Sequence, residues 1–90
     1  MDNITNIEAQ DARVNVTFGG SNADLPDPVS FDLPDAQVKS MVAEAIQHGF
    51  PGMEANSSVN LTDYVVDRFE ATEARPWRLL SLRPKTPFGA

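Results

Sequence analysis

The chain has 90 residues, a hydrophobic content of 41% and a net charge of −6 at pH 7. This length suits one small domain with a modest core, and the absence of cysteine excludes disulfides, thiolate metal sites and a thiol nucleophile. No apolar run approaches the roughly 20 residues of a membrane-spanning helix. The polar N-terminus lacks the basic region and the apolar region of a signal peptide. We therefore expect a cytoplasmic protein with no membrane partner.

The N-terminal third of the chain has the pattern of a leader followed by a hairpin. Residues 1–11 are polar and aperiodic, which predicts a flexible leader. Apolar and polar residues alternate from Arg13, as in a half-buried strand, until Gly19 and Gly20 end the pattern. The alternation resumes at Val29. We therefore predict two strands joined by about ten loop residues rich in Pro and Asp.

The clearest predicted element is a helix over residues 36–48. Asp35 can accept hydrogen bonds from the free amides of the first helical turn, and Gly49 is the residue type that commonly ends a helix. One apolar stripe with helical spacing consists of Val38, Met41, Val42, Ala45 and Ile46. We expect this stripe to pack on the hairpin.

The second half of the chain is less regular. Residues 50–60 support at most a loop or a very short strand, with Phe50 and Met53 capping the core. The next run favours a short helical turn near residues 62–64 and then extended chain. The last predicted strand covers residues 77–82, with its tryptophan expected in the core or at its rim.

Two stretches of this second half are similar to stretches of a known family. Residues 60–66, Asn-Leu-Thr-Asp-Tyr-Val-Val, are similar to the Thr-Leu-Ser-Asp-Tyr-Asn-Ile stretch that forms a short turn of helix in ubiquitin. Residues 78–83, Arg-Leu-Leu-Ser-Leu-Arg, resemble its last strand. Together with the order of the elements, the resemblance implies an α+β, β-grasp-like fold. The implied organisation is one ubiquitin-like domain over residues 12–83 and an extended tail over residues 84–90.

The same resemblance implies a function for the tail. Ubiquitin-like modifiers end in a Gly-Gly pair whose carboxylate is adenylated, whereas this chain ends in Pro87-Phe88-Gly89-Ala90. A processing peptidase would therefore have to remove Ala90 before Gly89 could be conjugated through an isopeptide bond. The expected partner is a protein, such as an activating or conjugating enzyme, and it would contact Arg78, Arg83, Lys85 and Phe88.

The distribution of charge leaves two other functions open. Residues 1–67 carry two basic and eleven acidic residues, whereas residues 68–90 carry five basic and two acidic residues. The net negative charge argues against nonspecific nucleic-acid binding, which depends on Lys and Arg. A nucleic-acid binder would have to use the basic strip, defined as Arg68, Arg75, Arg78, Arg83 and Lys85. The other alternative is a noncatalytic structural or assembly subunit of a phage or secretion machine, which would use its acidic face.

The sequence predicts no enzyme, cofactor or metal site. His48 is the single histidine, and a histidine in the last helical turn is a favourable partner for the helix dipole. Four aspartates precede or open the helix, but they lack the glycine turn and the bidentate glutamate of a calcium loop. Turn formation explains these four residues, namely Asp24, Asp27, Asp32 and Asp35.

Overall fold

A computed structural model describes residues 11–85 of the chain. In chain order the elements are β1 (Asp11–Phe18), β2 (Ser21–Asp24), β3 (Val29–Ser30), α1 (Asp35–His48), β4 (Tyr64–Phe69) and β5 (Arg78–Pro84). The predicted leader lies outside the described residues except for Asp11, which already belongs to β1. The predicted tail lies outside them beyond Lys85. Over the described range the chain is an α+β fold.

The N-terminal hairpin is tighter than the predicted one. Gly19 and Gly20 have φ values of 61° and 82°, and Phe18 pairs directly with Ser21. Two consecutive residues with positive φ give the two-residue turn whose twist matches that of the flanking strands. The predicted ten-residue loop is therefore wrong, because the two glycines connect the strands instead of only ending the first one.

The partner strand of β1 is interrupted. The Leu25 N–H still donates to the Val14 carbonyl at 2.9 Å, but residues 26–28 leave the ladder before Val29 pairs with Ala12. Two of these three residues are prolines, which have no N–H to donate. The predicted strand from Val29 to Leu33 is consequently reduced to the two residues of β3.

The predicted helix is confirmed, and it differs from the prediction in its N-terminal cap and in the exposure of one residue of the apolar stripe. Pro34 is the N-terminal capping residue and makes no side-chain cap, and the carboxylate of Asp35 bonds instead to Arg68. At the other end, the Gly49 N–H donates to the carbonyls of Ala45 and Ile46, so the predicted glycine stop is confirmed. Of the predicted stripe, Met41 is 37% exposed, so it does not belong to the buried side of the helix.

The sheet has the order β2-β1-β5-β4, and β3 also pairs with β1. β1 and β5 are parallel and central, whereas β4 is antiparallel to β5. One face of the sheet packs against α1, and the most deeply buried residues on the two sides are Val14, Val16, Leu80, Leu82, Val38, Val42 and Ile46. This arrangement is consistent with a β-grasp-like fold. Within the described range, no helix is long and apolar enough to cross a membrane.

The segment between α1 and β4 contains no strand and no helix. Phe50 and Met53 form an isolated bridge, and Met53 is buried, so its predicted role in the core is confirmed. The predicted helical turn near residues 62–64 is confirmed as a turn but not as a helix. A single turn closes through a Tyr64 N–H to Leu61 carbonyl bond of 3.0 Å, and β4 begins at once.

Two local forces explain that difference. The Asn60 side chain accepts a hydrogen bond from the Thr62 N–H at 2.9 Å, which offers the backbone an alternative to helix. The β-branched Val65 and Val66 favour extended chain. The stretch that resembles the helical turn of ubiquitin therefore leads into a strand here, whereas the second similar stretch, residues 78–83, lies in β5.

Candidate protein-interaction surface

The sheet has a second face, directed away from α1, which we call the outer face. Strand residues alternate between the two faces, and the strand register aligns those of neighbouring strands. The outer face carries Arg13, Asn15 and Thr17 of β1, Asn22 and Asp24 of β2, Leu79, Ser81 and Arg83 of β5, and Val65, Asp67 and Phe69 of β4.

One end of the outer face is apolar. Phe69 pairs with Leu79 across β4 and β5, and Phe69 is 45% exposed. The Arg13 guanidinium lies over the ring of Trp77, 5.4 Å from its centroid, and Arg13 is also the neighbour of Leu79 on β1. We call Phe69, Trp77 and Leu79 the apolar corner. Phe69 is exposed and Trp77 and Leu79 are half-buried, and aromatic side chains beside an arginine are typical of protein interfaces.

The sequence predicts only part of the apolar corner. Alternation predicts that Phe69 and Asp67 share a face, but only the strand register brings Leu79 beside Phe69. Trp77 was predicted in the core or at its rim, but it lies half-buried on the outer face beneath Arg13 and is not among the side chains packed against the core.

The other half of the outer face is a closed polar network. The Asn15 side-chain amide donates to Asn22 at 2.9 Å and to Asp24 at 2.8 Å, and the Asn22 amide donates to Asn15 at 2.9 Å and to Thr17 at 2.8 Å. These four side chains satisfy one another across β1 and β2. A partner would therefore have to break these internal hydrogen bonds before it could bond to the same side chains.

The C-terminal end of β5 brings together two of the predicted partner-binding residues. Arg83 and Lys85 lie two residues apart on the same side of the chain, and both are exposed. The Lys85 N–H donates to the Asp63 carbonyl at 3.1 Å, which extends the ladder by one residue. The predicted residues Phe88 and Gly89, and the removal of Ala90, lie outside the described part of the chain.

Arg83 is held only weakly. Its Nε lies 2.8 Å from Asp67 Oδ2, and the two side chains are 47% and 37% exposed. Ion pairs with this exposure contribute about 0–1 kcal/mol. A partner carboxylate can therefore replace Asp67 at little cost.

Arg78 is not part of this group. It lies at the opposite end of β5 and on the α1 side of the sheet, where it pairs in register with Ala12. Its Nε lies 3.0 Å from Glu70 Oε1, and its guanidinium lies 4.9 Å from the centroid of the Phe31 ring. Arg78 thus covers a core aromatic residue at some distance from Arg83 and Lys85.

The remaining arginines of the basic strip connect loops to the sheet. Arg68 donates to the carbonyls of Phe31 and Leu33 at 2.6 Å each and to Asp35 Oδ1 at 2.5 Å. Arg75 donates to the Glu70 carbonyl at 2.6 Å and to the Trp77 carbonyl at 3.1 Å. A phosphate group would have to displace these bonds to use either arginine.

An open groove of about 890 Å³ lies between residues 35–43 of α1 and the loop at residues 57–62. Lys39 crosses it, with its Nζ 3.2 Å from the Thr62 carbonyl. No sequence pattern predicted this groove, because it depends on how an aperiodic loop lies against the helix. Most of the side chains that line it are small or polar, and they form no cluster that would select a particular ligand.

Titratable groups form no cluster suited to chemistry in this part of the chain. His48 is exposed in the last turn of α1, as predicted. Among residues 11–85, no group of three or more His, Asp or Glu residues could hold a metal ion. Burial raises the pKa of Tyr64, whose ring centroid lies 6.3 Å from that of Phe18. This contact closes the core at the end of the sheet from which the C-terminal segment leaves.

Family and structural comparisons add no further constraint. No protein-family model, no curated protein and no solved structure matches this chain. The features of this chain that bear on function are therefore the topology of the sheet, the exposed end of β5 and the apolar corner.

Proposed function

We propose that this chain is a ubiquitin-like module with a β-grasp fold that binds a protein partner, or modifies one, through its C-terminal segment. The observation that carries the proposal is the position of β5. It lies at the centre of the sheet, parallel to β1, and it runs to Pro84 at the edge of the fold. The central strand therefore brings Arg83, Pro84 and Lys85 to one defined place at the edge of the fold.

The residues around that place suit an extended docking segment. Arg83 and Lys85 supply two positive charges on one side of the chain. Pro84 and Pro87 restrict their own φ angles and bias the preceding residues toward extended conformations. Less conformational entropy is then lost on binding, and Phe88 supplies an aromatic side chain for a pocket on the partner.

The modifier version requires three covalent steps. A peptidase hydrolyses the bond between Gly89 and Ala90 with one water molecule, which frees the Gly89 carboxylate. An activating enzyme then uses ATP to adenylate that carboxylate, which releases pyrophosphate, and a lysine amine of the target displaces AMP to form an isopeptide bond. The chain's own contribution is to present Gly89 at the end of a segment that an enzyme can accept.

Mass spectrometry tests this version directly. We expect that the chain, produced together with the proteins encoded beside it, loses Ala90 and becomes amide-linked through Gly89 to a lysine of another protein. A Gly89→Val variant should form no conjugate, because the valine side chain would not fit the channel of an activating enzyme that accepts only a glycine backbone. An intact Ala90 and no conjugate under the same conditions would eliminate the modifier version and leave noncovalent binding.

The apolar corner favours a second function, a noncatalytic assembly subunit. It lies near the start of β5, so about five residues or roughly 16 Å of strand separate it from the end where the C-terminal segment leaves. A partner that uses this corner would not need the C-terminal segment. A stoichiometric complex that is lost on Phe69→Ser and is unaffected by removal of residues 86–90 would identify this function.

A further inference from the structure

β4 forms one edge of the sheet and presents a row of backbone groups to its outer side. The Lys85 N–H donates to the Asp63 carbonyl, and bonded and non-bonded pairs alternate along an antiparallel ladder. Residues 65, 67 and 69 therefore bond to β5. The N–H and C=O groups of Val66 and Arg68 point away from the sheet and have no backbone partner within residues 11–85.

The opposite edge of the sheet is protected against the addition of another strand. β2 and β3 have only four and two residues, and the residues between them include Pro26 and Pro28. Short strands and prolines are the usual protection of an exposed edge. β4 has six residues and contains no proline, glycine or lysine, and its one charged side chain on the α1 side, Arg68, is already bonded to Phe31, Leu33 and Asp35. An edge of this length without such protection is a template for a further strand.

We propose that a second copy of this chain pairs with β4, antiparallel and centred on Val66, to form a two-fold symmetric dimer. In that register Val66 faces Val66 of the second copy. Tyr64 faces Arg68 of the second copy, and Val65 faces its Asp67. The outward N–H and C=O groups of Val66 bond to the same groups of the second copy, and no two like charges face each other.

The charges of β4 select this register over its neighbours. A shift that centres the pairing on Asp67 sets two aspartates directly opposite each other. A shift in the other direction, centred on Val65, sets Asp63 opposite Asp67 of the second copy. Like charges directly opposite each other destabilise a strand pair, so the register centred on Val66 is favoured on electrostatic grounds.

A single introduced cysteine tests the register, because the full chain contains none. Val66→Cys places the two sulfur atoms on strands whose Cα atoms are about 5.5 Å apart, within the range of a disulfide. Val65→Cys is the matched control, since its two copies would be about 8 Å apart, beyond that range. Under mild oxidation we expect Val66→Cys to form a disulfide-linked dimer at least tenfold faster than Val65→Cys.

A proline tests the backbone bonds. Val66→Pro removes an N–H that points away from β5, so the monomer should keep its fold and circular dichroism spectrum. Sedimentation equilibrium should detect a dimer for the native chain and only a monomer for this variant. Val65→Pro is the control, because it removes an N–H bonded to β5 and should lower the melting temperature strongly.

Three results would overturn the inference. The first is a native chain that sediments as a monomer over the whole soluble concentration range. The second is a dimer that survives Val66→Pro, which would show that another surface is used. The third is equal crosslinking of the two cysteine variants. None of these results bears on conjugation through Gly89, so the dimer and the proposed function can fail separately.

Discussion

Leu82→Ala is expected to lower the free energy of unfolding by about 2–5 kcal/mol, the cost of removing a large side chain from a core. Leu82 has no solvent exposure, and it lies on the central strand between Val16 of β1 and Val66 of β4. The cavity would open where both neighbouring strands and α1 meet. A domain of this size has about 5–13 kcal/mol of stability in total, so the variant should lose a large share of it.

Urea denaturation followed by circular dichroism measures this effect. Ser81→Ala is the matched control, because Ser81 is the next residue of the same strand and its side chain lies on the outer face. We expect the control to change the free energy of unfolding by less than about 1 kcal/mol. Similar losses for Leu82→Ala and Ser81→Ala would mean that the α1 side of β5 is not the core.

Arg68→Ala is expected to cost about 2–3 kcal/mol of stability, which is large for a residue on an edge strand. The guanidinium joins β4 to the carbonyls of Phe31 and Leu33 and to the carboxylate of Asp35, and its side chain is only 29% exposed. Hydrogen bonds that involve a charged group contribute about 1.5–3 kcal/mol net. The partial exposure lets water replace some of them, which reduces the sum.

Thermal unfolding of two further variants separates this role from charge alone. Arg68→Lys keeps the charge but cannot form the planar, multiple contacts of a guanidinium, so it should recover less than half of the loss. Arg83→Ala removes an arginine of the same sheet that has one exposed ion pair, and it should cost less than about 1 kcal/mol. Equal effects of Arg68→Ala and Arg83→Ala would contradict the structural role of Arg68.

The sequence predicted the elements that local patterns determine. The stripe around Val38 and Val42 and the glycine at position 49 determine α1, because helix periodicity and the C-terminal stop are both local. The hairpin was mispredicted, because Gly19-Gly20 was interpreted as the end of a strand and the polar β2 has no hydrophobic alternation to mark it.

The candidate surface could be predicted only in part for a different reason. Contacts such as those of Arg68 with Phe31 and Leu33 join residues 37 and 35 positions apart. No local pattern predicts such contacts. The prediction that Arg78, Arg83 and Lys85 act together is wrong for Arg78. Arg78 lies at the other end of β5 from Arg83 and Lys85, and its side chain lies on the opposite face of the sheet. The apolar corner likewise required the register of three strands.

The central claim is that the C-terminal segment works by binding a partner and contributes little to the fold. The most direct measurement compares the native chain with one truncated after Lys85, because β5 ends at Pro84 and Lys85 still bonds to Asp63. Melting temperature and recovery of partner or conjugate from the source cells are measured for both. We expect a melting temperature within about 2 °C of the native value and complete loss of partner or conjugate. A fall of about 4–8 °C, which corresponds to a loss of roughly 1 kcal/mol, with partner binding unchanged would contradict the claim.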